Sequence, residues 1–202
     1  MTLTLQVLGD FGLRRDGELL ASGLSHLPRL LLAYLLCHRD APQPREHVAA
    51  VLWPDAPESR TRPRLRKLLF DLRQSLPRAD DCIESTSSTL WWRPEAPIVV
   101  DLIQFEEALR HAERSATKDE PEAESAALSG IDEVYRGELL PGFYEDWVVE
   151  AREVLARRFM RALTRRQRLL EEAGDDQGAL AVAERVLQED PLYEPAYRDL
   201  MR

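Results

Sequence analysis

A repeated leucine pattern between residues 60 and 76 is the feature that most limits what this chain can fold into. Leucines recur there at intervals of three or four residues, at Leu65, Leu68, Leu69, Leu72 and Leu76. This spacing places them on one side of an α-helix and predicts a helix with one buried face. Because such a face must be covered, the pattern also predicts a domain whose other elements pack around this helix.

The remaining surface of the same helix is strongly basic. Residues 59–76 contain six Arg or Lys residues and one acid, Asp71, in a chain whose formal net charge is −9. At about 100° per residue, the basic side chains lie opposite the leucines or beside them: Arg60, Arg62, Arg64, Arg66, Lys67 and Arg73. Arginine offers charge for phosphates and a planar fork for guanine edges, so the pattern indicates a DNA-binding helix. The alternative is an ordinary solvated helix face.

The charge of the whole chain is divided unevenly. Residues 1–100 contain 13 Lys/Arg and 12 Asp/Glu, a net charge of +1, whereas residues 101–202 contain 14 and 24, a net charge of −10. The length of 202 residues is enough for two modest domains. This asymmetry suits a nucleic-acid-binding module joined to an acidic part that the phosphates of nucleic acid repel.

The elements around the basic helix follow from local signals. Alternating apolar residues predict short strands over residues 3–20 with a hairpin turn at 15–18, and two helices fit residues 25–38 and 44–52. A proline is comfortable in a helix only within the first turn, so Pro63 predicts that the basic helix begins near Arg62. Asp71 is expected to pair with Lys67 four residues earlier. A hairpin is predicted over residues 82–92.

Strands, three helices and a closing hairpin describe a winged helix-turn-helix. The segments that make up this half are LQVLGDFGLRRDGELL, LLAYLL, REHVAAVLWPD, LRKLLFDLRQSL and IES…LWW. Together they resemble the OmpR-type winged helix of the Streptomyces antibiotic regulatory protein group. The resemblance implies that residues 62–76 form the recognition helix and that the hairpin is the wing. It also implies double-stranded DNA as a partner, with these contacts: Arg60, Arg62, Arg64, Arg66, Lys67, Arg73 and, just past the wing, Arg93.

The second half of the chain is predicted to be helical. A helix begins near Leu102, the polar residues 114–124 are expected to form a mobile loop, and a long helix ends at Gly174. Residues 160–193 have the small-residue and terminal-proline positions of a tetratricopeptide unit, with a helix at 176–189. The segments VDLIQFE, YRGELLPGFYEDWVVEARE and EDPLYEPAYRDLMR resemble the bacterial transcriptional activator domain.

The two resemblances together define the expected architecture and function. The fold class is mainly α with small β elements, in which a winged helix at 1–93 precedes an all-α tetratricopeptide-like domain at 98–202. The family implies a DNA-binding transcriptional activator whose protomers recognise direct repeats in a promoter. Its helical domain would mediate protein contacts, with RNA polymerase among the candidate partners. The alternative is a protein-interaction module whose winged helix binds DNA weakly or not at all.

Other kinds of site have no pattern behind them in this sequence. The four histidines lack metal-ligand spacing, no nucleotide-binding glycine motif occurs, and no residues form a catalytic constellation. We therefore expect no enzyme activity, no metal and no cofactor. Because no charged-then-apolar leader and no long apolar run is present, we expect a cytoplasmic protein with no membrane partner.

The last residues of the chain suggest an uncovered apolar face. Tyr197, Leu200 and Met201 begin a helix after Pro191, and tetratricopeptide helices bury their apolar faces on a neighbour. We therefore expect the helical domain to be incomplete at its C-terminus and these three residues to form a protein-interaction surface.

Overall fold

The computed structural model of the protein describes residues 2–20 and 24–190. The chain divides into two compact units, Met1–Asp101 and Leu102–Arg202. The first unit extends beyond residue 93, the limit expected for the winged helix, because a short strand at Val99–Val100 pairs within it. The unit predicted at 98–202 therefore begins a few residues later in the structure.

The first unit contains mixed elements, and the second is helical. In chain order the first comprises β1 (Leu3–Gln6), β2 (Gly12–Arg15), β3 (Glu18–Leu19), α1 (His26–Cys37), β4 (Gln43–Pro44), α2 (Arg45–Leu52), α3 (Glu58–Ser75), α4 (Ala79–Cys82), β5 (Ile83–Ser85), β6 (Thr89–Trp92) and β7 (Val99–Val100). The second comprises α5 (Asp101–Thr117, beginning at the last residue of the first unit), α6 (Pro121–Leu128), α7 (Ile131–Val134), α8 (Asp146–Glu172) and α9 (Asp176–Glu189).

Two small sheets frame the helices of the first unit. One has the order β3-β2-β1-β7, with β7 parallel to β1, and the other has the order β4-β6-β5. The predicted turn at 15–18 joins β2 to β3, where Asp16 and Gly17 have φ values of 49° and 88°. Two successive positive φ values match the twist of a tight hairpin, which explains why an Asp-Gly pair occurs there.

The core of the first unit is built from α1, α2 and α3. Helix α1 is buried from Leu30 to Leu36 because other elements cover it on all sides. Helix α3 buries Leu65, Leu68, Leu69 and Leu72, as the leucine spacing predicted. Trp92 of β6 is 1% exposed and belongs to the same core. The predicted winged helix-turn-helix is confirmed.

The start of α3 differs from the prediction. The helix begins at Glu58 rather than near Arg62, so Pro63 lies inside it. Proline removes one main-chain donor and its ring crowds the carbonyl of Ser59, four residues earlier, but its φ near −65° is compatible with a helix. The first turn is held by other groups: Arg60 N–H donates to the Pro57 carbonyl at 2.9 Å, and Thr61 Oγ1 donates to the Glu58 carbonyl at 3.1 Å. The negative charge of Glu58 also suits a helix N-terminus.

The wing is the hairpin formed by β5 and β6, supported by β4. Its tip contains no glycine; instead Thr86 Oγ1 accepts hydrogen bonds from the N–H groups of Ser88 and Thr89. Arg45, the first residue of α2, holds the hairpin from the side. Its guanidinium donates to Ser85 Oγ at 3.0 Å and to the Thr86 carbonyl at 3.1 Å, and its own N–H donates to the Ser88 carbonyl at 2.8 Å.

Asp101 ties the end of the first unit to its first strand. Its buried carboxylate accepts hydrogen bonds from the N–H of Val7 at 2.9 and 3.0 Å and from the N–H of Leu8 at 2.9 Å. Strands β1 and β7 pair through only two residues each. The carboxylate therefore satisfies buried main-chain donors that lie just beyond this short ladder.

The second unit corrects one prediction. Residues 114–124 were expected to form a mobile loop, but α5 continues to Thr117 and α6 begins at Pro121. Glu124 is 4% exposed and forms a two-bond pair with Arg165 of α8, at 2.7 and 2.6 Å. A buried carboxylate needs such a partner, and a partner forty-one positions away is not visible in the local composition.

Helices α8 and α9 pack as the hairpin expected of a tetratricopeptide-like unit. Helix α8 ends at Glu172, and Gly174, with φ of 76°, follows its last turn. The N–H of Gly174 donates to the Glu171 carbonyl and that of Asp175 to the Leu170 carbonyl, which satisfies the helix end. Helix α9 spans the predicted residues 176–189. Within residues 2–20 and 24–190, no helix is long and apolar enough to cross a membrane.

Replacing Asp101 by Ala should lower the free energy of unfolding of the first unit by about 3 kcal/mol, because buried N–H groups lose a charged acceptor. Asp101→Asn should lower the free energy of unfolding by less, since the amide oxygen of asparagine can still accept one of these hydrogen bonds. Asp146→Ala is the matched control, because Asp146 is also the first residue of a helix but is exposed; it should cost about 0.5 kcal/mol. Chemical denaturation measures all three, and equal losses for Asp101→Ala and Asp146→Ala would contradict the assignment.

Replacing Arg45 by Ala should loosen the wing without unfolding the unit. Losing two side-chain hydrogen bonds should raise the amide hydrogen exchange of residues 85–89 about thirtyfold, because each bond contributes about 1 kcal/mol. Arg64→Ala removes an exposed arginine of the same unit and should leave this exchange unchanged. Unchanged exchange in Arg45→Ala would show that strand pairing alone holds the wing.

Candidate nucleic-acid interface

A cleft of about 690 Å³ lies between α3, the start of α2 and the wing. Helix α3 contributes Arg62, Leu65, Arg66, Leu69 and Arg73 to its wall. These positions recur every three or four residues, so they form one side of the helix. The opposite wall consists of the wing residues Ser85, Thr86, Ser87 and Ser88, with Pro44, Arg45 and Glu46 at the end of the cleft.

Arg45 is a residue of this cleft that the sequence did not reveal. Burial lowers its pKa below the ordinary arginine value, and the positive charges of Arg66 and Arg73 lower it further. Arg66 and Arg73 are therefore both close enough to repel the guanidinium of Arg45. The sequence offered one weak signal, an arginine directly after the proline that precedes α2, but it could not place that residue beside the wing.

Two of the predicted cations in the cleft are already paired with carboxylates. Arg62 donates to Glu46 at 2.6 Å and to Glu58 at 2.7 Å, and hydrogen bonding to Glu58 is the main reason why its pKa is raised. Arg73 donates to Asp80 at 2.7 Å. Because these groups are largely exposed, solvent screens the pairs, and an outside anion can compete for the arginines.

The cations on the other side of α3 are fully presented to solvent. Lys67 pairs with Asp71 at 2.8 Å, which confirms the predicted pair. Arg60 and Arg64 are exposed on the same side of the helix. Together with Arg66, which is exposed in the cleft, these two arginines have no ion pair within the described part of the chain.

Arg93 lies apart from the other predicted residues. It is half-buried just after β6, does not line the cleft, and its guanidinium is 3.5 Å from Glu84 and 3.7 Å from Glu95. The predicted site residues therefore separate into a cleft group, an outer group on α3, and Arg93. Tyr197, Leu200 and Met201, the predicted protein-interaction residues, lie outside the described residues.

The first unit offers little reactive chemistry beside these charges. Burial, with a smaller contribution from the charge of Asp81, raises the pKa of Cys82 to about 11, so its thiol stays protonated and unreactive at neutral pH. Among the residues that the structure describes, no group of His, Cys, Asp and Glu side chains could hold a metal ion. What this surface can do is bind an extended anion.

Comparison with known proteins assigns the chain to a family. The model of the bacterial transcriptional activator domain matches residues 100–202. Among solved structures, the chain is similar to Mycobacterium tuberculosis EmbR in complex with a low-affinity phosphopeptide, with a TM-score of 0.76 and 20% sequence identity. The match covers 98% of this chain and 53% of the EmbR chain, so this chain spans about half the length of that structure. No curated protein matches it.

The two findings agree with the order expected from the sequence, a winged helix followed by a helical activator domain. At 20% identity, the likeness to EmbR shows the fold alone. The family match covers just over half of the chain, residues 100–202, and rests on the sequence itself. The chain belongs to the bacterial transcriptional activator domain family of transcriptional regulators.

Proposed function

We propose that this chain is a transcriptional activator that binds promoter DNA with α3 and the wing. The observation that supports this most directly is the cleft that Arg45, Arg66 and Arg73 line, in which Arg66 and Arg73 both repel Arg45. A polyanion that enters such a cleft relieves the repulsion and gains favourable charge contacts at the same time. The wing supplies hydroxyl and main-chain N–H groups, which also suit phosphate oxygens.

The cations of the first unit have different roles in this proposal. Arg66 and Arg64, exposed and without ion pairs, contact DNA directly, and one of them donates to a guanine edge. Arg45 positions the wing. The complete set of proposed DNA contacts is Arg60, Arg62, Arg64, Arg66, Lys67, Arg73 and Arg93. Those that are paired with carboxylates exchange these partners for phosphates when DNA binds.

The second unit would mediate protein contacts. Its sequence half has a net charge of −10, which keeps it away from DNA and leaves it available to other proteins. The family implies RNA polymerase as a partner and self-association of protomers on direct repeats. The phosphopeptide is part of the EmbR structure, and this chain covers 53% of the EmbR chain. We therefore do not propose a phosphopeptide as a partner of this chain.

A protein-interaction module with weak DNA affinity is the second candidate. The ion pairs of Arg62, Lys67 and Arg73 favour it, because carboxylates already neutralise these cations. The net charge of −9 also opposes association with a polyanion. A titration with duplex DNA at several salt concentrations separates the two candidates, since only a phosphate-binding surface gives a steep salt dependence.

Replacing Arg66 by Ala should reduce the slope of log affinity against log salt concentration by about 0.9, because one phosphate contact is lost. Arg161→Ala is the control: Arg161 is an exposed arginine of α8 and has no ion pair within the described part of the chain. It should leave the slope unchanged. Arg165→Ala is not a suitable control, because it would leave the buried carboxylate of Glu124 without its partner.

Three results of this titration are distinguishable. A steep slope for the wild type that falls in Arg66→Ala supports the proposed interface. Equal slopes in Arg66→Ala and Arg161→Ala would place DNA binding elsewhere. A wild-type affinity that is weak and independent of salt would favour the protein-interaction module.

Neutralising the partners of Arg62 should strengthen DNA binding. In the double variant Glu46→Gln, Glu58→Gln, Arg62 no longer has competing carboxylates, so we expect a severalfold gain in affinity at low salt. The slope should stay unchanged, because Arg62 contacts phosphate in both proteins and only the competition from its carboxylate partners is removed. Glu153→Gln removes a similar exposed pair with Arg157 of α8 and should change neither quantity. An unchanged affinity in the double variant would show that Arg62 takes no part in binding.

A further inference from the structure

Phe70 is an exposed aromatic residue in the middle of the basic surface of α3. Its side chain is 61% exposed, on the side of the helix opposite the buried leucines. The other Phe, Tyr and Trp side chains in the described part of the first unit are buried or half-buried. A phenylalanine in water forgoes the stabilisation that burial would give, so a partner that covers this ring would gain it.

Charged and polar side chains surround the Phe70 ring on the helix surface. Arg66 and Lys67 lie one turn before it, and Arg73 and Gln74 lie one turn after it; all four are exposed. Arg66 and Arg73 line the cleft, whereas Phe70 does not. The ring has no aromatic or cation–π contact with any residue that the structure describes. It is therefore a single apolar group at the centre of a cationic surface.

The surroundings of the ring limit what it can contact. A protein partner needs an interface of about 1,600 Å² with an apolar centre, and one ring enclosed by four polar side chains provides no such centre. The major groove of DNA has the matching arrangement, because phosphates flank a floor whose apolar group is the thymine C5-methyl. Phenylalanine has no hydrogen-bonding atoms, so in the groove it can favour a base only through such a contact.

We propose that Phe70 is a specificity-determining residue that contacts the C5-methyl group of a thymine in the major groove. This inference rests on the proposed function, because it requires α3 to enter the groove. It adds a base preference that the arginines do not supply. They recognise phosphates and guanine, whereas Phe70 selects thymine at one position between their contacts.

The test begins with a preferred duplex, selected from a random library with the whole chain. Each thymine of this duplex is then replaced in turn by deoxyuridine, which lacks only the methyl group. At one position the replacement should weaken wild-type binding about fourfold, the value for one buried methyl group. Phe70→Ala should bind the thymine and deoxyuridine duplexes equally at that position, and Phe70→Leu should keep part of the difference.

Tyr144→Ala is the matched control, because Tyr144 is an 80% exposed aromatic residue of the second unit. It should leave the thymine preference of the wild type unchanged. If Phe70→Ala retains the wild-type preference at every thymine, the inference is overturned while the proposed function stands. If Phe70→Ala instead changes only self-association without DNA, the ring is a protein contact and the inference is also overturned. If the library yields no preferred duplex, the proposed function itself fails.

Discussion

Burial of the α3 leucines is the interaction on which the arrangement of the first unit depends. Leu65, Leu68, Leu69 and Leu72 are at most 6% exposed, and each contributes about 1.5–3 kcal/mol by leaving water. An exposed ion pair on the same helix contributes about 0–1 kcal/mol. The leucines therefore set the rotation of α3, and the arginines face outward as a consequence. Turning the helix by one residue, about 100°, would expose two leucines and bury a guanidinium.

Features that depend on near neighbours in the sequence could be predicted. The course of α3, the Lys67–Asp71 pair and the limits of α9 all follow from residues within one or two helical turns. A turn at Asp16–Gly17 follows from the conformational freedom of two adjacent residues. Periodicity and turn chemistry act over such short distances, so they also predicted the three helices and the wing.

Features that depend on distant partners could not be predicted. The Arg45–wing contacts join residues about forty positions apart, and the Asp101 contacts join residues more than ninety positions apart. The polar segment that includes Glu124 appeared to be a loop because its partner, Arg165, lies on another helix. Pro63 misled in another way: α3 begins at Glu58 and continues through the proline, which interrupts the main-chain hydrogen bonding at one place without ending the helix. Except at Pro63, the deciding group lies outside the local sequence.

The way in which Arg45 holds the wing has a consequence for how such regulators diverge. Its bonds reach the main-chain carbonyl groups of Thr86 and Ser88, which every amino acid possesses, and only one reaches a side chain, that of Ser85. Substitutions at Ser87 or Ser88 therefore leave the support of the hairpin intact. Natural selection can alter the chemistry of the wing tip while its placement stays constant. If the wing contacts DNA as proposed, duplicated copies of the gene can come to recognise other DNA sequences through a few substitutions at the tip, with little loss of stability.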